Sequence, residues 1–145
     1  MTSSLEQLAA RYGEAWNAHD LDRIMAMHTA DTVFRLHLSA GPEVVGVDAV
    51  RSAFGGLLTL FPDIVFRTEV MTFGNDFFVH QALITATLAM PLPFGNLVAR
   101  PTGQPMTFTG VDVITVADGL VQRKETYLDI SAAQQQLGML GEVAV

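Results

Sequence analysis

Apolar residues recur at helical spacing in the first third of the chain. One such stripe predicts a first helix and consists of Leu5, Leu8, Ala9, Tyr12, Ala15 and Trp16. Ser3 or Ser4 can cap this helix, and Asp20 can cap a second, shorter one, because their side-chain oxygens accept from free backbone N–H groups. A third helix is predicted to begin at Asp48, as its cap, and to end before Pro62.

The other segments carry the β-branched and aromatic residues typical of strands. Strands are predicted over 32–38, 64–73, 77–90, 106–116 and 120–130. Asp118-Gly119 predicts a hairpin turn, the proline-rich segment 91–105 a loop, and Ser131 the cap of a short last helix. Three N-terminal helices packed on one face of a curved antiparallel sheet form an α+β fold.

Length and composition indicate one compact domain. With 145 residues, the chain is predicted to form a single domain over 1–145. Its 50% apolar and 16% charged residues exclude disorder, which requires low hydrophobicity and high charge. Charge is sparse for a folded domain, so we expect an internal cavity, a buried subunit interface, or both.

Charge and residue types exclude several function classes. The net charge of −7 makes nucleic acid and anionic membranes unsuitable partners. The chain has no cysteine, and His19 and His28 have no third ligand at metal spacing, so no metal site is predicted. The first residues have no cationic region followed by an apolar run, so no signal peptide is expected, and the most apolar stretch, 82–94, is too short to span a membrane. We therefore expect a cytoplasmic protein.

Several motifs resemble the nuclear-transport-factor-2-like superfamily. They are Trp16-Asn17-Ala18-His19-Asp20, Phe61-Pro62-Asp63, Gly110-Val111-Asp112-Val113 and Tyr127-Leu128-Asp129. The superfamily has a cone-shaped (cystatin-like) fold and includes ketosteroid isomerases, limonene-epoxide hydrolases and SnoaL-like polyketide cyclases. The C-terminal motifs are most similar to the SnoaL-like branch. Because this fold hosts many chemistries, the resemblance predicts the fold more sharply than the reaction.

The resemblance to steroid isomerases implies an oxyanion hole formed by Tyr12 and Asp112. A tyrosine hydroxyl and a carboxylic acid can both donate to a developing enolate oxygen. Asp112 would have to stay protonated near neutral pH, which an apolar site with little nearby positive charge favours. Asp112→Asn should then leave the fold intact. The alternative is structural: Tyr12 is a core aromatic residue whose hydroxyl binds Asp112.

The general base is less clear, because the family positions are altered. Leu36 stands where steroid isomerases have a catalytic carboxylate, and Thr126 stands where polyketide cyclases have an aspartate. The pocket histidine of those cyclases corresponds to Asp112, which should face the same cavity as Thr126. His37 is adjacent to Leu36, and a bulge could turn it inward as a base; otherwise it is a surface or interface histidine. The carboxylates of epoxide hydrolases are absent.

These interpretations combine into one hypothesis. The catalytic candidates are Asp112, Tyr12 and His37, and the predicted substrate-binding wall consists of Trp16, Phe34, Leu36, Phe54, Gln81, Phe108 and Thr126. The expected function is cofactor-independent enolisation of a hydrophobic polyketide- or steroid-type carbonyl compound, leading to isomerisation or aldol-type cyclisation. The alternative is a non-catalytic domain that binds a small hydrophobic molecule or dimerises. A homodimer is predicted through the outer sheet face, formed by Ile84, Ala86, Leu88, Val111 and Val113.

Overall fold

The computed structural model describes residues 3–38 and 41–141. Its helices are α1 (Ser4–Asn17), α2 (Leu21–Met25), α3 (Val47–Leu60) and α4 (Ile130–Gln136). Its strands are β1 (His28–His37), β2 (Val44–Val45), β3 (Val65–Phe73), β4 (Phe77–Ala86), β5 (Leu92–Phe94), β6 (Leu97–Ala99), β7 (Met106–Ala117) and β8 (Leu120–Leu128). The predicted α+β class is confirmed.

Six strands form one sheet in the order β2-β1-β8-β7-β4-β3. All its neighbours are antiparallel except β1 and β8, which run parallel. A parallel pair needs a long crossover, and here everything from β2 to β7 lies between the two strands. Register shifts interrupt the β1–β8, β3–β4 and β7–β8 ladders, and such bulges bend and twist a sheet.

The helix caps follow local sequence in two cases and differ from prediction in two. Ser3 accepts from the Glu6 N–H, and Asp20 accepts from the Arg23 N–H, as predicted. The third helix is capped by Gly46 rather than Asp48; its φ of 94° suits glycine. The last helix is capped by Asp129, which accepts from the Ala132 N–H, rather than by Ser131.

Several strand boundaries differ from those predicted. The first strand starts at His28 instead of residue 32, because Met27 accepts a backbone hydrogen bond from Val121 at 2.7 Å. The strand predicted over 77–90 ends at Ala86, and the segment 91–105 holds the β5–β6 hairpin. The Met27–Val121 contact joins residues far apart in sequence, so local composition does not reveal it.

The end of α1 is fastened to the start of β3. The Asn17 side chain donates to the Phe66 carbonyl at 2.9 Å and accepts from the Phe66 N–H at 2.8 Å. His19, in the left-handed region at φ 55°, donates through Nε2 to the Ile64 carbonyl at 2.6 Å. The Trp16-to-Asp20 motif thereby fixes the first helix across the inner face of the sheet.

Buried apolar residues form two clusters beneath the helices. One joins the first three helices to the sheet and includes Leu8, Ala15, Ile24, Val50, Phe54, Phe78 and Ile114. The other joins α4 to the sheet and includes Ile84, Ala86, Leu88, Met106, Phe108 and Ala133. Members of both clusters line one cavity. In the described ranges, no helix is long and apolar enough to cross a membrane.

Candidate active site

The strand register places four inner residues in one row across the sheet. His80 on β4 faces Asp112 on β7, Asp112 faces Thr126 on β8, and Thr126 faces Leu36 on β1. Side chains of directly opposed residues share a face of the sheet. The structure therefore brings Asp112 and Thr126 together, with His80 on one side and Leu36 on the other.

This row borders a cavity of about 350 Å³ between the helices and the sheet. The candidate residues that line it are Tyr12, Trp16, Phe34, Leu36, Phe108, Asp112 and Thr126. Most of the remaining lining is aliphatic or aromatic, including Leu57, Phe66, Ile84 and Met106. A mostly apolar wall with a few polar groups is the usual composition of a small-molecule site.

Three candidate residues lie elsewhere. Phe54 is fully buried in the core against the rings of Trp16, Phe34 and His28. Gln81 is exposed, and its neighbour His80 lines the cavity instead. His37 does not border the cavity: its Nε2 lies 3.1 Å from Glu125, and its ring stacks on Tyr127. No bulge turns it inward, because its register with Tyr127 is regular.

The prediction that the outer face of the sheet includes Ile84, Ala86 and Leu88 was also wrong. Ile84 and Ala86 are buried and line the cavity, and Leu88 is buried in the second core cluster. Val111 and Val113 on β7 are half-buried and alternate with buried Gly110, Asp112 and Ile114, as expected. Val111 also borders the cavity. The error on β4 arises because both of its faces are apolar, so alternation alone does not identify the inner one.

Asp112 forms a buried ion pair. Its Oδ2 lies 2.8 Å from Lys124 Nζ, and its Oδ1 accepts from the Thr126 hydroxyl at 2.5 Å. The side chains of Lys124 and Asp112 are only 7% and 12% exposed. The expectation that Asp112 has little positive charge nearby is therefore wrong, because the Lys124 side chain contacts its carboxyl group.

Sequence reasoning missed Lys124, although a signal was present. Lys124 precedes Thr126 by two residues on one strand, so it shares the inner face with Thr126. The neighbouring residues Arg123 and Glu125 are also charged, so the charge of Lys124 does not stand out in the sequence. In the fold, the Lys124 ammonium lies 5.5 Å from the Tyr12 ring centroid and 5.4 Å from that of Trp16.

Tyr12 has a different partner from the one predicted. Its hydroxyl is hydrogen-bonded to His28 Nε2 at 2.9 Å, and His28 Nδ1 is hydrogen-bonded to the Thr32 hydroxyl at 2.8 Å. Burial raises the pKa of Tyr12 well above its ordinary value; the Trp16 indole opposes this and the charge of Asp112 adds to it. Burial, helped by the charge of Lys124, lowers the pKa of His28 to about 3. Tyr12 is therefore protonated and His28 neutral at pH 7.

His80 also lies on the cavity wall, although the sequence analysis did not select it as a site residue. Its Nε2 is hydrogen-bonded to the Thr68 hydroxyl at 2.7 Å. Burial lowers the pKa of His80; Asp112 opposes this shift and Lys124 adds to it. Asp112 and Lys124 are thus the charged side chains on the cavity wall among residues 3–38 and 41–141. Across those same ranges, no group of three or more acidic or histidine residues could hold a metal ion.

Comparison with known proteins agrees with this architecture. A sequence model of the SnoaL-like domain matches residues 9–124, from within α1 to within β8. No curated protein matches the chain.

Solved structures share the whole fold. AclR, a proposed hydroxylase of Streptomyces galilaeus, is 24% identical with a TM-score of 0.81, over 99% of this chain and 91% of AclR. A proposed SnoaL-like polyketide cyclase of Jannaschia sp. CCS1 is 23% identical with a TM-score of 0.81, over 95% of this chain and 94% of that one. IdmH, a proposed polyketide cyclase of Streptomyces antibioticus, is 21% identical with a TM-score of 0.74, over 92% of this chain and 98% of IdmH. At these identities, the likeness demonstrates a common fold.

Proposed function

Because this chain belongs to the SnoaL-like domain family, we propose that it is a cofactor-independent enzyme that enolises a hydrophobic carbonyl compound. The observation that carries this proposal is the position of Asp112. Its carboxyl group lies against the Lys124 side chain, on the wall of an otherwise mostly apolar cavity. A carboxylate held out of water, within reach of a bound ligand, can act as a general base.

In this proposal Asp112 removes a proton from the carbon next to the carbonyl group. The Thr126 hydroxyl and the Lys124 ammonium hold the carboxylate in place. In this proposal the acid stands on β7, across the β7–β8 hairpin from the strand on which the related cyclases carry their aspartate. The proton is returned to another carbon in an isomerisation, or the enolate attacks a second carbonyl in an aldol-type cyclisation.

The developing enolate oxygen needs a hydrogen-bond donor, and we assign this role to Tyr12. This role requires the His28 tautomer with its proton on Nε2: Thr32 then donates to Nδ1, Nε2–H donates to the Tyr12 oxygen, and the Tyr12 hydroxyl proton is left for the ligand. Neutral His28 and protonated Tyr12 suit this arrangement, because neither adds a charge that the ligand would have to displace. A donor aimed at a developing oxyanion can contribute about 10²-fold or more in rate.

The test uses Trp16, the one tryptophan in the sequence, which lines the cavity. Its fluorescence should change on titration with 1-tetralone, an enolisable bicyclic ketone. Deuterium exchange at the ketone α-carbon, followed by NMR in D2O, should exceed the buffer rate. The Asp112→Asn/Lys124→Met double variant removes the base without leaving a buried charge. It should still bind the ketone and lose about 10²–10⁴-fold in exchange rate.

One result of this test would distinguish an enzyme from a non-catalytic binding domain. Binding without exchange above the buffer rate in the unmodified protein would contradict catalysis and support the non-catalytic binding domain. That alternative is favoured by one observation: Leu36 and Thr126 stand at the two positions where related enzymes carry their base.

We also propose a homodimer through the outer sheet face, with its residues corrected. Val79 and Leu83 on β4 join Val113 on β7 and the 44%-exposed Tyr127 on β8 on that face. A two-fold pairing of sheets would remove this apolar surface from water. We expect a dimer by sedimentation velocity at micromolar concentration. Val113→Glu should give a monomer, whereas Val98→Glu, at an exposed position on β6, should not. A monomeric unmodified protein would refute the proposal.

A further inference from the structure

Lys124 is the only lysine in the sequence; the other seven basic residues are arginines. It is also one of the most buried charged side chains, at 7% exposed, and it lines the cavity. Lysine is almost never buried without a partner, and here the partner is Asp112. The chain therefore places its single side-chain amine where a ligand would bind.

An arginine would serve better if only an ion pair were needed. Its guanidinium binds a carboxylate with two parallel hydrogen bonds and stays charged under all ordinary conditions. Lysine differs in that it can release its proton and act as a nucleophile. The use of lysine at this one position, in a chain that uses arginine elsewhere, points to amine chemistry.

The surroundings of Lys124 hold its ammonium in place and supply a proton acceptor. The neighbouring imidazoles of His28 and His80 are neutral, so no other positive charge faces the amine among the described residues. The aromatic rings of Tyr12 and Trp16 lie beside its Nζ at 5.5 and 5.4 Å. The carboxylate of Asp112 lies 2.8 Å from Nζ, which places a proton acceptor in direct contact with the ammonium.

We propose that Lys124 condenses with an aldehyde or ketone held in the cavity to form an iminium ion. This inference rests on the proposed function only for the class of ligand, a hydrophobic carbonyl compound. Asp112 takes one proton from the ammonium, and the free amine attacks the carbonyl carbon to give a carbinolamine.

The step balances in atoms and charge. The C–N bond forms, the C–O bond breaks, and the carbonyl oxygen leaves as water with two of the three ammonium protons. The iminium keeps one positive charge beside the Asp112 carboxylate, so the buried ion pair survives the reaction. An iminium acidifies the adjacent C–H bonds more than a neutral carbonyl does, which would assist the proton removal assigned to Asp112.

Reductive trapping tests the proposal. The protein is incubated at pH 7 with 2-naphthaldehyde, which has no α-hydrogen and cannot enolise, and with sodium cyanoborohydride. Peptide mass mapping should find one naphthylmethyl group on Lys124. The reference is an exposed lysine introduced by Arg11→Lys on α1. Lys124 should be modified at least 10-fold faster than this reference lysine. Lys124→Arg, which keeps a cation beside Asp112, should show no adduct in that segment.

The outcomes distinguish this proposal from the proposed function. Absence of a Lys124 adduct while Trp16 fluorescence reports aldehyde binding would overturn the iminium, and would leave proton exchange by Asp112 unaffected. Modification no faster than that of the introduced lysine would also overturn it. Unchanged Trp16 emission together with no adduct would count against both proposals.

Discussion

Lowering the pH from 7 to 5 should reduce the free energy of unfolding by about 2 kcal/mol through His28 alone. The pKa of His28 is about 3 in the folded protein, below its ordinary value of 6.5, because burial and Lys124 disfavour the imidazolium. Between these values the unfolded chain binds a proton that the folded protein does not. The contribution of His28 to the free energy of unfolding is therefore fully present above about pH 6.5. It is lost as the pH falls, by about 1.4 kcal/mol per pH unit.

Urea unfolding at pH 7, 6 and 5 would measure this effect. His80 acts in the same direction, since burial also lowers its pKa, so the wild-type curve alone does not isolate His28. His28→Gln provides the comparison, because an amide can still bond to Tyr12 but does not titrate. The free energy of unfolding of the wild type minus that of the His28→Gln variant should decrease by about 2 kcal/mol from pH 7 to pH 5. Parallel curves would contradict a buried, neutral His28.

Removing one partner of the Asp112–Lys124 pair should destabilise the fold by about 3–5 kcal/mol. Either single variant, Asp112→Asn or Lys124→Met, leaves one charge in a mostly apolar cavity wall with its counter-ion gone. This replaces the expectation, made from sequence, that Asp112→Asn is harmless. The Asp112→Asn/Lys124→Met double variant buries no charge, so it should be more stable than either single variant.

A double-mutant cycle by urea unfolding at pH 7 measures this coupling. Arg23→Met is a suitable reference, because Arg23 forms an ion pair with Glu14 in which both side chains are largely exposed. Exposed pairs contribute about 0–1 kcal/mol, so this substitution should cost little. Additive costs for Asp112 and Lys124, with no coupling, would show that the two charges do not depend on each other.

Local sequence determined the caps of the first two helices, the apolar stripe of α1 and the alternation of buried residues on β7. The caps at Ser3 and Asp20 and the apolar stripe of α1 follow from side chains within one or two turns. On β7, buried Phe108 and Asp112 share a face by simple alternation, and this alternation was read correctly. The order of the predicted helices and strands indicated the α+β class, and the family motifs added the cone-shaped fold.

Tertiary structure decided the chemistry of the cavity. The pairing of Lys124 with Asp112, and of Tyr12 with His28 rather than Asp112, joins residues that are distant in sequence. The sequence also did not determine which face of β4 points inward, because both faces are apolar. Only packing against the helices places His80, and not Gln81, on the cavity wall. Periodicity specifies which residues share a face, but burial, partner and charge state depend on what the fold places opposite that face.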